Sequence, residues 1–406
     1  MAAVHLAVSV DKRLIPCPPP DPGWMDRNGL QWYRSGHNSD YLASACLEIS
    51  GFEMRELLSV SDQLYSRMLE AARWVAEQDQ WEQAGIPASA VPLVSYSLRQ
   101  ESDLHLLGRF DFAGGIEGVP LQLLEFNADT CSLLPETALM QPEMARKIQG
   151  IEQPASWQVY KQLVRGFKQL LEKHRDREPT LLLSSLGYEE DVLNLEVVRK
   201  AALEAGFQLA QQVDLPNVIF SAEEGIFVEL RPDEYQRYDF WYKMVPWDFI
   251  CYEEPALLDL LTSIITGGHA LVINPAFTML LQSKALLVYL FENNPMHAAL
   301  LPTSFSLDRL NKKKGYVEKP IIGRMGENIA LYNEEGQLVF ENDGDYGTFP
   351  TIFQEKAVFN LDYLGKSYQP GVFWSQGACG IAVRRQEGWI LDDDAQFIPH
   401  IIPAGK

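Results

Sequence analysis

Hydrophobic and polar residues alternate with period two at 108–112, where Arg109 and Asp111 interleave with Phe110 and Phe112. They do so again at 124–129, where Glu125 and Asn127 sit either side of Phe126. That period is the strand period, and the glycine-rich stretch 113–120 between the two pieces predicts a β-hairpin. Elsewhere the period changes. Leu64, Met68, Ala71, Ala72 and Val75 fall on one helical stripe, with Ser61 and Asp62 as candidate caps, and 136–172 reads mainly as helix. Leu181, Leu182 and Leu183 predict a buried strand, 189–205 a helix stopped by Gly206, and 207–210 the next strand. This is a βαβ pattern within an α/β insert running from about 179 to 265. A helix is expected over 278–292, its apolar side built from Met279, Leu280, Leu286, Leu287 and Leu290. From Gly315 the chain turns β-rich. A hairpin is expected about Asn333–Gly336, with further turns at Gly347 and Gly371, while the proline-rich 16–22 predicts extended chain.

With 406 residues, 47% of them hydrophobic, the chain can bury a large core in more than one lobe, and disorder is not expected. The net charge of −21 argues against general nucleic-acid or anionic-membrane binding and suits cationic partners such as polyamines, although solubility alone also accounts for it. No apolar run is long enough to span a bilayer, and no basic stretch precedes the mildly apolar residues 1–10, so no secretory signal is expected. Cys17, Cys46, Cys131, Cys251 and Cys379 are scattered, odd in number and without CxxC spacing. They suit reduced thiols in a cytoplasmic protein. Cys131 has no visible base nearby and reads as a packed thiol.

The hairpin carries the first candidate chemistry. If its polar faces coincide, Arg109, Asp111, Glu125 and Asn127 converge. Carboxylate and amide oxygens suit Mg²⁺, and an arginine beside them suits an anion or a developing phosphoryl charge. A surface ion pair on a solvated sheet face is the alternative. The second candidate is 316–329, where Lys319 ends a strand and Gly323, Arg324 and Gly326 follow in a loop. Glycine amides and these cations could meet phosphate, though neither a Walker A ending nor GxGxxG is present and an ordinary exposed turn fits as well. Lys284, in an apolar helical stretch, could equally be a snorkelling surface lysine, and Trp247 reads as core.

These segments bear a resemblance. GRFDF at 108–112, LEFNAD at 124–129, KMVPWD at 243–248, INPAFTMLLQSK at 273–284, YVEKPIIGRMGEN at 316–328 and FIPH at 397–400 occur in the order found in the glutathionylspermidine synthase family. The chain resembles the synthetase portion of that family, within the ATP-grasp superfamily, over roughly residues 20–402. The resemblance implies an α+β, ATP-grasp fold with an inserted α/β pre-ATP-grasp-like subdomain. It implies a single ligase unit over 1–406 without the amidase domain of the bifunctional members. It further implies ATP and Mg²⁺, with Asp111, Glu125 and Asn127 as metal ligands. Arg109 would meet the reacting carboxylate or acyl phosphate, and Arg384 would be a second phosphate-side arginine. Lys284 and Lys319 would contact ATP phosphates, Gly323, Arg324 and Gly326 would lie in a loop that closes over nucleotide, and Gln354 would border adenine. Ser132 would contact a peptide substrate, and Glu189 and Glu190 an amine. Helix-dipole complementation is the alternative for the acidic pair. Asp392, Asp393 and Asp394 could add a cationic contact or form a solvated turn. The implied reaction is ADP-forming ligation of a peptide or other acid to an amine or polyamine through an acyl phosphate. A silent nucleotide- or polyamine-binding homologue and a small-molecule kinase are the rival readings.

Overall fold

The computed structural model describes residues 13–35, 40–100, 102–146, 148, 151–152, 156–390 and 395–403. Residues 1–10 and the aspartates 392–394 considered above lie outside them. The expected hairpin is present. Strands Gly108–Ala113 and Gln122–Asn127 pair antiparallel with Arg109 opposite Asn127, Phe110 opposite Phe126 and Asp111 opposite Glu125. Its turn needs Gly114, at φ +73°, because a Cβ there would stand 2.0 Å from the Pro120 carbonyl oxygen.

The hairpin is the edge of a sheet continued by Ser367–Trp374, Ala378–Gln386 and Gln396–Phe397. Gly371 is not a turn residue. It lies mid-strand opposite Asp111, where a Cβ would press at 3.0 Å on both Arg109 Cδ and Asp111 Oδ1. Behind the sheet Phe110 stacks on Phe126 with centroids 3.9 Å apart. Both share a core with Leu57, Leu64 and Met68 of helix Gly51–Glu77. Ser61 and Asp62 are therefore not caps. The helix starts ten residues before Ser61, at Gly51, and its cap is Ser50, whose hydroxyl and Glu53 form a capping box.

A second antiparallel sheet runs in the order Thr303–Ser304, Thr351–Glu355, Tyr316–Pro320, Ala330–Tyr332 and Leu338–Glu341. A parallel sheet runs in the order Leu271–Ile273, Phe240–Lys243, Thr180–Ser184 and Leu209–Gln212. Helix Glu189–Ala205 connects its last two strands and ends on Gly206 at φ +119°, as expected from the sequence. Two expected helices are interrupted. Residues 136–172 contain Glu136–Met140 in π-helical form, Gln141–Ala145, strand Ile151–Glu152 and helix Val159–Lys173. Residues 278–292 form Thr278–Gln282 and Ala285–Asn293, separated where the Lys284 amide turns away to donate to the Ile321 carbonyl at 2.8 Å. The fold is thus a mixed one. Antiparallel sheets and helices occupy most of the chain, and parallel pairing of long-range strands is concentrated between 180 and 273. No helix among the described residues is long and apolar enough to cross a membrane.

Candidate active site

Alternation along the hairpin and its register together put Arg109, Asp111, Glu125 and Asn127 on one face. Arg109 grips both oxygens of Asp111, Nε to Oδ1 at 2.7 Å and Nη2 to Oδ2 at 2.9 Å, and its third donor reaches the Ser132 carbonyl at 2.9 Å. Asn127 Nδ2 donates to Asp111 Oδ2 at 2.6 Å. Asp111 is buried, which raises its pKa against the opposing pull of Arg109. The solvated-face alternative therefore does not hold.

Glu125 joins this cluster to two lysines. Lys284, buried in the helix break, lies 3.0 Å from Glu125 Oε2 and donates to the Gly323 carbonyl at 2.7 Å, so it is not a snorkelling surface side chain. Lys319 donates to the Leu124 carbonyl at 2.9 Å and to Gln354 Oε1 at 2.7 Å. Burial opposes ionisation of Glu125, but Lys284 and Lys319 outweigh it and hold the carboxyl below its usual range. Burial, reinforced by Lys284, pushes Lys319 down to about 7.

Two cavities meet at Glu125 and the loop 324–326. The first is lined by Lys284, Lys319, Gly323, Gln354, Phe359 and Trp389, among others. The second is lined by Arg109, Asp111, Asn127, Ser132, Glu190 and Arg384, together with Trp32, Tyr41 and Gln282. Nearly all the sequence candidates therefore fall around one continuous space. Glu189 is the exception. It is exposed at the start of its helix while its neighbour Glu190 turns into the second cavity. Four candidates make contacts other than those expected. Arg324 lines both cavities, but its guanidinium pairs with Asp248 and reaches the Tyr346 hydroxyl at 3.1 Å. Gln354 is buried as the partner of Lys319 and donates to Thr303 Oγ1 at 3.2 Å. The Ser132 contact shown is its carbonyl on Arg109. Arg384 donates to the Ala395 carbonyl at 2.8 Å, and its guanidinium lies over the Tyr41 ring, 5.5 Å from the centroid.

Among the described residues no three His, Cys, Asp or Glu side chains group as a metal site. The hairpin set differs in donor type, being two carboxylates and an amide. Hard oxygen donors of this kind, with room beside them in the cavity, fit Mg²⁺. Cys131 lines the second cavity, but burial pushes its thiol up to about 12, which leaves it protonated and inert. All five cysteines are buried and free. Trp247 is buried core, its indole N–H donating to the Asn274 carbonyl at 3.0 Å.

Sequence reasoning missed the residues that hold the site from behind. Asp129, just past the hairpin, is buried against Lys243 Nζ at 2.6 Å and accepts from the Trp247 amide at 2.7 Å. The Asn274 side chain accepts from the Leu106 amide at 2.8 Å and donates to the Asp129 carbonyl at 2.7 Å. Asn194, buried in helix Glu189–Ala205, accepts from the Leu134 amide at 2.9 Å. Lys243 and Asp129 both lie within quoted sequence segments. Nothing in the sequence marks either as buried or as the other's partner; only their opposite charges are visible there.

The family described as glutathionylspermidine synthase, preATP-grasp, matches residues 15–403. The chain belongs to this family. Its relatives include a protein of Haemophilus influenzae named as an acid–amine ligase, 27% identical over 92% of this chain and 94% of that one. The trypanothione synthetase of Crithidia fasciculata is 24% identical over 84% of this chain and 54% of its own length. The bifunctional glutathionylspermidine synthetase/amidase of Escherichia coli is 24% identical over 86% of this chain and 58% of its own. The chain thus spans little more than half the length of the last two. Among solved structures, a glutathione synthetase-like effector of Globodera pallida superposes with a TM-score of 0.56 at 8% identity, over 89% of this chain and 90% of that one. That likeness concerns the fold, which is of the glutathione synthetase-like α+β type. By family the chain is an ATP-dependent carbon–nitrogen ligase.

Proposed function

We propose that the chain joins a carboxylic acid of the peptide kind to an amine, with ATP activating the acid as an acyl phosphate. The observation that carries this reading is the hairpin register. It puts Asp111 and Asn127 in the cavity bordered by Arg109, Arg384 and Glu190, and Glu125 where that cavity meets the one bordered by Lys284 and Lys319. In the first cavity Lys284 and Lys319 would neutralise nucleotide phosphates, Gly323 and Gly326 would let the loop approach them, and Phe359 would offer an apolar wall to the base. Asp111, Glu125 and Asn127 would hold magnesium, which when bound would spread the charge of the transferring phosphoryl group. Arg109 and Arg384 would hold the acid and then stabilise negative charge at its reacting carbon. Arg324, now latched to Asp248 and Tyr346, sits where a closing loop could exchange that pair for phosphate, and closure would keep water from the acyl phosphate. Glu190 would receive the cationic amine. Glu189, on the outside, would add only to the long-range field. We read the unit holding the parallel sheet as the inserted pre-ATP-grasp-like part of an ATP-grasp ligase.

ADP and phosphate release, measured with Mg²⁺·ATP against glutathione and other peptide acids, with and without spermidine and other amines, tests the reading. ADP formation that needs both an acid and an amine is expected. A stable phosphorylated product formed without an amine would make the protein a kinase, and nucleotide binding without turnover would make it a silent binder.

A further inference from the structure

One buried carboxylate beside the second cavity has no role in the reading above. Glu136 is 1% exposed, at the start of the π-helical turn Glu136–Met140. It makes no ion pair with any described residue. Its Oε1 accepts from the Tyr41 hydroxyl at 2.6 Å, and its Oε2 has no hydrogen-bond partner among the described residues. A buried carboxylate without an ion-pair partner is costly to keep and marks a candidate functional group. Tyr41 connects it to the chemistry. Its ring lines the second cavity with Arg109, Glu190 and Arg384, beneath the Arg384 guanidinium. Tyr41 therefore borders the same cavity as the side chain assigned to the amine and an arginine assigned to the acyl phosphate.

We propose that Tyr41 and Glu136 form the proton acceptor for the attacking amine, an inference that rests on the ligase reading. An amine bound as an ammonium must give up a proton before its lone pair can attack. Tyr41 accepts that proton at its oxygen as its own hydroxyl proton passes to Glu136 Oε1. The carbon–nitrogen bond then forms, the carbon–oxygen bond to the phosphoryl group breaks, and the departing phosphate takes the second nitrogen proton. Glu136 afterwards returns its proton to solvent by the same route, so one proton is released per amide. Tyr41 is the residue that touches substrate, and Glu136 acts through it.

The titratable and charged groups facing Glu136 are Tyr41, Tyr33, Glu190 and Arg384. Burial, with Glu190 adding to it, raises the Glu136 carboxyl to about 7 against the opposing hydrogen bond from Tyr41. Burial and Glu136 together keep the Tyr41 phenol protonated, so that it relays rather than stores the proton.

Hydroxylamine separates this proposal from the ligase reading, because it is unprotonated at neutral pH and traps an acyl phosphate without a base. Wild type, Glu136→Gln and Tyr41→Phe are compared with Mg²⁺·ATP and glutathione, offered either spermidine or hydroxylamine. The expected result is a ratio of amide to hydroxamate at least tenfold lower in both variants. The acidic limb of the wild-type amide pH–rate profile, near pH 7, should also be missing from Glu136→Gln. The ratio is internal to each sample, and Tyr41→Phe keeps the ring, so partial misfolding does not mask the result. An unchanged ratio, with hydroxamate formed, overturns the proton acceptor alone. No hydroxamate from the wild type would remove the ligase reading and this inference with it.

Discussion

Asp111 and Glu125 face each other across one hairpin, yet their removal has different consequences. Asp111 is the partner that compensates a buried guanidinium, so Asp111→Ala strands Arg109 without a counter-charge and should cost about 3–5 kcal/mol of stability. Glu125 lines both cavities, and Lys284 keeps its bond to the Gly323 carbonyl without it. Glu125→Gln should therefore change stability by less than about 1 kcal/mol while lowering turnover by roughly a hundredfold or more. Urea denaturation and ADP release measured on both variants check the pair, and equal destabilisation would refute the division of roles. Lys319 makes a sharper claim. Depressed to about 7, it is mostly neutral in the free protein at pH 8, and a phosphate placed against it favours the cation and raises its pKa. Nucleotide binding at pH 8 should then take up as much as about one proton, with the uptake vanishing below about pH 6 and in Lys319→Met. Calorimetry in two buffers of different ionisation enthalpy reads this directly, and identical heats in both would show that Lys319 stays charged throughout.

Between elements, the strongest link behind the site is the Asp129–Lys243 pair. It ties the end of the hairpin strand to the end of parallel strand Phe240–Lys243, with both side chains fully enclosed. Lys243→Met leaves the Asp129 carboxylate buried with only the Trp247 amide and the Thr278 hydroxyl. We expect a loss of about 3–5 kcal/mol, partly recovered in Lys243→Met with Asp129→Asn, giving a coupling above about 1 kcal/mol in a denaturant double-mutant cycle. Additive effects would mean the two elements are held together by packing alone. This link also marks the limit of what the sequence discloses. The hairpin and helix Glu189–Ala205 were legible because their signals are local: period-two alternation around a glycine turn, and a periodic stretch stopped by Gly206. The start of helix Gly51–Glu77 was legible in principle, since Ser50 and Glu53 have capping-box spacing, but the stripe from Leu64 to Val75 marks only the second half of the helix. The break at Lys284 carries no glycine or proline. It is imposed by the Ile321 carbonyl, 37 residues further on, and only that break puts the lysine beside Glu125. Arg109, Asp111, Glu125 and Asn127 could be paired from the strands alone, whereas Tyr41 and Glu136 lie 95 residues apart and nothing local joins them.

At the scale of the whole molecule, buried groups far from one another set opposing responses to acid. His105, bonded to the Tyr65 hydroxyl, and His400, bonded to Ser156, are held neutral by burial, with pKa values lowered to about 4 and about 3. In the unfolded chain both protonate near pH 6.5. Their contribution is therefore intact above that pH and is lost as pH falls toward 4, by about 2–3 kcal/mol for each histidine at pH 4.5. Glu136 runs the other way. Its raised pKa of about 7 means that the folded protein binds a proton before the unfolded chain does, so stability rises as pH drops from 7 to 4.5, by about 3 kcal/mol. One carboxyl thus offsets roughly one histidine. Against a typical total stability of about 5–15 kcal/mol, the wild type should weaken only modestly over this range. The variants should diverge. Glu136→Gln should be the more stable protein at pH 7.5 and should lose about 3 kcal/mol more than wild type on acidification to pH 4.5, whereas His400→Gln should lose about 2–3 kcal/mol less. Urea midpoints at several pH values for the three proteins read these slopes. Parallel profiles would show that neither group is held away from its ordinary pKa, and for Glu136 that outcome would also remove the physical basis for a carboxylate poised to take a proton near neutral pH.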